Sequence, residues 1–397
     1  MGKFNTNNFK CDTIGLVIRG ARTIRVERTE SNFGGQLTRI PDLDNASGGI
    51  VKRYLKFPAV IIFFGVFACG SSEISDKEIN GSSITLLTHD SFAVSDGLFD
   101  IFTAETGITV EQLSLGDTGQ LISSSILTKE NPLGDVVFGI DNTFLSRALN
   151  ADIFDPYTSS RNSKLIDGLS YENSDYLTPI DYGHVCLNYW KSAFGDSLPP
   201  PSNMKDLLEP SYASSLVVQN PETSSPGLAF LLATISYFGS DWVNFWKVLN
   251  QNGVTVTSDW ESSYYGDFIA GGGEKAIVVS YASSPIAELI YSDPPVEVSP
   301  TEIIEDSCFK QIEYAGILKN TKKRYEAELL IDFLLSQEFQ EDIPLNMFMM
   351  PVSSEASLPN QFENYPVIAT DLNAISPSEI ETNRNNWTEI WTETVLR

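Results

Sequence analysis

A basic lead, Lys52-Arg53-Tyr54-Leu55-Lys56, runs straight into an apolar stretch from Phe57 to Ala68 and then into Cys69-Gly70-Ser71-Ser72. About a dozen apolar residues are too few to cross a bilayer as a permanent helix. A basic lead, an apolar core and a small residue just before Cys read instead as an export signal, residues 51–68, ending in a lipoprotein cleavage site. The folded part is therefore expected to begin near Cys69, to carry a lipid there, and to work outside the cytoplasm, in a periplasmic or cell-surface position. The competing reading of 57–68 is a buried hydrophobic strand, and Phe67, an unusual residue just before the small one, keeps it open.

A signal normally starts at the initiator Met, and this one sits some fifty residues in. Residues 1–50 read as a mis-called upstream extension, with Val51 as the start from an alternative GUG codon. Their five Arg and two Lys follow no helical or strand period, and a Gly/Asn/Ser stretch closes them at Asn45 to Gly49.

Without residues 1–68 the chain keeps 16 basic against 47 acidic residues, a net charge of −31. So acidic a surface repels nucleic acid and anionic lipid, which excludes a DNA- or RNA-binding role and suits a cationic ligand. Roughly 330 residues suffice for one large or two medium domains. Cys186 and Cys308 are the cysteines left beside Cys69, and in an oxidising compartment such a pair is a disulfide candidate.

Residues 69–81 form a polar tether rich in Ser, Glu, Asp and Gly. Beyond it the pattern predicts strands at 84–87, 108–113 and 135–139, alternating with helices at 98–106 and 121–128. The second half repeats the style, with strands at 216–219, 254–257 and 276–280 and helices at 226–238, 242–249 and 263–270. Alternation of this kind indicates an α/β fold with a mainly parallel sheet. Ser225, Pro226 and Gly239 punctuate the helix at 226–238. Ser376-Pro377-Ser378-Glu379 makes a capping box for a C-terminal helix with an apolar stripe at Ile380, Trp387, Ile390 and Trp391.

Most signatures of catalysis are missing from the chain: two His in all, no Cys-X-X-Cys, no His-Glu-X-X-His, no Gly-X-Ser-X-Gly and no Gly-rich phosphate loop with a Lys, while a glycosidase-like carboxylate pair stays open among so many Asp and Glu, with no spacing that favours one. What stands out is a set of hydroxyl, aromatic and Gly positions at strand ends, where open α/β sheets collect ligands. They are Thr88 to Phe92, Gly116 to Gly119, Thr223 to Gly227 at a helix start, Trp260, and Tyr281 to Pro285. A Trp or Tyr in such a place is more often a packed core residue, and Ser-Ser-Pro-Gly more often only a cap. Five such ends coinciding carry more weight than any one.

These stretches, with Asp90 to Ala93, Gly139-Ile140-Asp141-Asn142, Asp181-Tyr182-Gly183, Trp260-Glu261, Ser280-Tyr281, Ser284-Pro285 and Ile343 to Val352, resemble the thiamine-binding periplasmic proteins, the solute receptors of thiamine ABC transporters. The resemblance runs from about Ile84 to the C-terminus in order and spacing. It implies a type II periplasmic-binding fold, with lobe 1 at 82–182 and 312–397, lobe 2 at 183–311, and two crossing strands between them near 181–189 and 309–317. Cys186 lies in the first crossing and Cys308 just before the second, so the two lobes imply that these cysteines are neighbours.

The family's ligand contacts fall on Asp117, Thr118, Ser224, Ser225, Trp260 and Tyr281-Ala282-Ser283-Ser284. Two matches are imperfect, since a cleft Tyr falls on His89 and a cleft Trp on Phe348; a third cleft aromatic, a Tyr, is lost altogether at Ala287. The implied partners are thiamine, an ABC permease and its ATPase, and a membrane reached through the lipid on Cys69. The implied receptor is a monomer with no cofactor, metal site or catalytic residue. A thiazolium cation fits the face of Trp260 or Tyr281, with Asp117 offsetting charge and Ser224 and Ser225 holding the tail, phosphorylated or not. The rival readings are a ferric receptor using Tyr264-Tyr265, a polyamine receptor, and a thiaminase-like enzyme with Cys186 or Cys308 as nucleophile.

Overall fold

The computed structural model describes residues 81–169, 175–364 and 374–397. The extension, the signal block, Cys69 and the tether up to residue 80 lie outside the described residues.

In the first half, β1 (Ser82–Thr88), α1 (Leu98–Thr106), β2 (Ile108–Ser114), α2 (Thr118–Leu127), β3 (Val136–Asp141), α3 (Leu145–Asn150) and β4 (Phe154–Asp155) follow one another. Each residue of β3, Val-Val-Phe-Gly-Ile-Asp, is buried, as befits a strand covered on both faces. Gly107 ends α1 in the left-handed conformation, and its N–H closes the turn on the Thr103 carbonyl at 2.8 Å.

The long strand β5 (Thr178–Trp190) leads to α4 (Pro210–Ala213), β6 (Leu216–Gln219), α5 (Ser225–Phe238), α6 (Trp242–Gln251), β7 (Thr255–Thr257), β8 (Ile277–Tyr281) and α7 (Ser284–Tyr291). A second long strand, β9 (Thr301–Leu318), returns to α8 (Arg324–Leu334), α9 (Gln337–Asn346), β10 (Met350–Pro351), α10 (Asn360–Asn364) and α11 (Pro377–Val395).

The strands run in the order β2-β1-β3-β9-β5-β8-β6-β7, with β10 paired to β5 and β4 to β9. β1, β2 and β3 are mutually parallel, as are β6, β7 and β8. Between these groups β9 and β5 are antiparallel to each other and to their outer neighbours. Two parallel α/β halves thus share one antiparallel pair of long strands, the type II periplasmic-binding arrangement.

Three sequence expectations change. The second long strand begins at Thr301, eight residues before the expected start, so Cys308 lies within it. Its early part, Thr-Glu-Ile-Ile-Glu-Asp, reads as polar, yet pairs with β5 from Trp190 to Leu187. The helix expected at 263–270 is instead a π turn over Ser262–Asp267 followed by a 3₁₀ turn at Ile269–Gly271, because Gly266 and Gly271-Gly272-Gly273 deprive it of helix formers. Finally, α5 starts at Ser225, one residue earlier than the Pro signal indicates, with Ser224 at the N-cap position and no side-chain cap hydrogen bond.

Cys186 and Cys308 form a disulfide across β5 and β9. It lies where the register between those strands shifts, from Val185 opposite Phe309 to Leu187 opposite Ile304. Ser307 fills the bulge, its hydroxyl accepting from Leu187 N at 2.8 Å and donating to the Ile304 carbonyl at 2.5 Å.

At the C-terminus Ser376 caps α11, its hydroxyl accepting from Glu379 N at 3.3 Å. Ile380 and Trp391 are buried, and Trp387 and Ile390 half-buried, as the stripe predicts. Helix α11 rests on α3 and on α6, one from each half.

Candidate ligand-binding cleft

Parallel strands carry their loops at matching ends, so the C-terminal ends of β1, β2 and β3 and those of β6, β7 and β8 bring two sets of loops toward the long strands. Asp117 follows β2 and caps α2: its Oδ1 accepts from Thr118 N at 2.7 Å. The same carboxylate receives two N–H groups from the other half, Ser225 N on Oδ1 and Trp260 N on Oδ2, each at 3.4 Å. Burial raises its pKa, and the Ser224 hydroxyl, the Thr118 amide and His89 pull it partly back. Asp117, Ser224, Ser225 and Trp260, distant in sequence, are therefore brought together.

Trp260 is fixed on two sides. Its indole N–H donates to Ser280 Oγ at 3.0 Å, and its ring stacks on Tyr264 with centroids 4.9 Å apart. Tyr281 stands edge-on to it at 6.3 Å, the geometry of two walls of one aromatic corner. Ser284 accepts from Tyr281 N at 3.2 Å and shares a 2.8 Å hydrogen bond with Ser280. Ala282 packs on the disulfide, and Thr118 spends its hydroxyl hydrogen on the Gly139 carbonyl at 2.9 Å. Both side chains serve the frame of the cleft.

Ser283 and Phe348 line a cavity of about 180 Å³ with Tyr182, Gly183, His184 and Met350. Phe348 adopts a left-handed backbone and packs edge-on against Tyr291. A Cβ at Gly183 would stand 2.8 Å from Met349 Sδ and 3.7 Å from the Tyr281 ring. A larger cavity, of about 490 Å³, is lined by Phe102, Arg161 and Asp332 and holds none of the sequence-predicted residues.

His89 lies 3.6 Å from Glu313 and against the Phe138 ring. Burial lowers its pKa, but Glu313, Asp117 and Asp90 more than offset this, and the net effect is upward. Glu313 belongs to a row the sequence did not reveal: Asp141, Glu313 and Asp181 stand opposite one another on β3, β9 and β5. Burial and then neighbouring Glu313 hold the Asp181 pKa well above the usual carboxylate range. Asp141, whose oxygens accept from the Thr143 hydroxyl at 2.9 and 3.0 Å, is pushed up by burial to about 7. Asp141 and Asp181 lay in motifs visible in the sequence. Glu313 carried no signal, because one Glu in an acidic strand is indistinguishable from a solvated one.

The charged groups acting most strongly on His89, Asp117, Asp181 and Tyr281 are carboxylates and His89 itself. An aromatic corner beside carboxylates can hold an organic cation. The thiols proposed as nucleophiles are bonded to each other. Of the tyrosine doublet, Tyr264 is 4 % exposed and its hydroxyl donates to Glu288 at 2.6 Å, whereas Tyr265 is 55 % exposed.

The family model for bacterial extracellular solute-binding proteins matches residues 131–376. The chain belongs to that family. A thiamine-binding periplasmic protein of Salmonella typhimurium is 30% identical over 318 residues, 79% of this chain and 94% of the relative. The solved structure of a periplasmic thiamin binding protein superposes with a TM-score of 0.69 at 29% identity, covering 79% of this chain and 96% of that one. A ferric binding protein from Campylobacter jejuni reaches a TM-score of 0.65 at 20% identity, covering 78% of this chain and 99% of that one, a likeness of fold alone.

Proposed function

We propose that this protein is an exported receptor that binds thiamine and delivers it to an ABC permease and its ATPase. The observation that carries the reading is the Asp117 carboxylate held beside the Trp260–Tyr281 corner, in a chain that matches thiamine receptors along nearly their whole length. Thiamine is a flat aromatic joined to a permanent thiazolium cation. A ring face attracts such a cation by roughly 0.5 to 2 kcal/mol, and a nearby carboxylate adds to this in a desolvated site. Ser224 and Ser225, at the start of α5, face Asp117 and Asp141 and are placed to meet the hydroxyethyl tail or its phosphate.

In this reading 82–182 with 312–397 forms one lobe and 183–311 the other, with β5 and β9 as the connection on which they close. His89 and Phe348 take the places of aromatic groups, and His89 gains the Glu313 ion pair in exchange. The role is binding without turnover, by a monomer that needs no cofactor or metal. Cys69 carries the lipid that keeps the receptor on the membrane.

The test is calorimetry of the purified protein with thiamine, its monophosphate, spermidine and ferric citrate, together with mass spectrometry of the ligand retained on purification. Saturable binding of thiamine in preference to spermidine and iron, with thiamine unchanged after incubation, is the expected result. No heat with thiamine, or its cleavage, overturns the reading. Globomycin treatment should separately accumulate a larger precursor if Cys69 is the lipid site.

A further inference from the structure

Gly119 lies in the first turn of α2 and its backbone is helical, so its own conformation does not require glycine. What requires it is the other half of the protein. Its N–H donates to the Thr223 carbonyl at 2.9 Å, and a Cβ at this position would stand 2.5 Å from the Glu222 carbonyl oxygen, 2.7 Å from that of Thr223 and 2.8 Å from Thr223 Cα. These are backbone atoms, so no side-chain rotation relieves the overlap.

Nor can the turn retreat cheaply. Thr223 N and Ser224 N donate to the Asn220 carbonyl at 3.2 and 2.9 Å, Asn220 N donates to Thr257 at 2.9 Å, and the Thr223 hydroxyl donates to the Ser258 carbonyl at 2.5 Å. Two residues before Gly119, Asp117 takes the N–H groups of Ser225 and Trp260 from the same half.

The geometry points to Gly119 as a positioning residue for ligand retention: with Asp117 it forms a backbone latch that lets α2 close onto the 220–225 turn, and the missing side chain is what permits full closure. The inference rests on the proposed thiamine-receptor reading and deepens it, since Gly119 holds the lobes together over a ligand bound elsewhere in the cleft. A latch made only in the closed form acts mainly on the dissociation rate.

Gly119→Ala tests it. The variant should bind thiamine about tenfold or more weakly, with the loss in a faster dissociation rate and the association rate within about twofold of wild type. Its melting temperature without added thiamine should be unchanged or raised, since Ala is the better helix former. Small-angle scattering of the thiamine-saturated variant should give a larger radius of gyration than wild type.

Wild-type dissociation kinetics in Gly119→Ala overturn the latch. So does a lowered melting temperature with unchanged radius, which marks ordinary packing damage. Should wild type bind no thiamine, the receptor reading fails by itself, and scattering of the two proteins saturated with whichever of thiamine monophosphate, spermidine or ferric citrate the wild type binds decides the latch: a larger radius for the variant supports it and equal radii reject it.

Discussion

Trp391 of α11 stands edge-on to Trp246 of α6, with ring centroids 5.5 Å apart and an interplanar angle of 81°, both side chains fully buried. The same helix reaches the first half through Arg384, whose guanidinium lies over the Phe144 ring at 5.5 Å. The C-terminal helix thus ties both α/β halves along one flank.

Removing that contact should be costly in stability. Trp391→Ala leaves a cavity against Trp246 and should lower the free energy of unfolding by about 3 to 5 kcal/mol, read by urea titration. A loss under 1 kcal/mol would mean that the helix is only loosely attached.

For the aromatic corner, the expected loss is in affinity. Trp260→Ala removes one wall and should weaken thiamine binding by about 1 to 3 kcal/mol, roughly tenfold to hundredfold, whereas Ser224→Ala should cost near 1 kcal/mol. Quenching of tryptophan fluorescence by thiamine should shrink in Trp260→Ala, and calorimetry of the correctly folded variant checks the affinity.

The buried Asp141 gives a pH dependence whose sign follows from linkage. Its folded pKa, raised by burial to about 7, exceeds the unfolded value of 3.8, so between those values the folded state holds a proton that the unfolded state lacks. Stability from this group is greatest at the acid end of that window and declines as pH rises toward 7, by on the order of 4 kcal/mol in all. His89, also raised, acts in the same direction: its contribution is present below its ordinary value of 6.5 and is lost on going alkaline. Denaturation measured at pH 4.5, 6 and 8 should show the decline, and Asp141→Asn should flatten it.

The disulfide closes a separation of 122 residues. Thiol titration of the denatured, unreduced protein should find neither Cys186 nor Cys308 reactive. Replacing both by Ala should cost roughly 2 to 4 kcal/mol by releasing the unfolded chain, while a stability unchanged by the double replacement would show that β5 and β9 hold each other without the bond.

Local pattern was enough for the α/β alternation. The apolar runs of β3 and β6, Gly107 after α1 and the Ser376 cap before α11 each report a short-range requirement, of burial, backbone conformation or hydrogen bonding, that neighbouring residues satisfy. The strand-end positions Asp117, Trp260 and Tyr281 were legible for the same reason, since topology sends parallel strand ends to one side. What pairing across the sheet decided is different in kind. That Asp141, Glu313 and Asp181 share a row depends on the registers of β3, β9 and β5, and no spacing along the chain encodes a partner more than a hundred residues away. The early start of β9 was likewise settled by the strand it pairs with. The need for glycine at 119 belongs to the same class: its backbone is ordinary helix, and only the Glu222 and Thr223 carbonyls of the opposite half leave no room for a side chain.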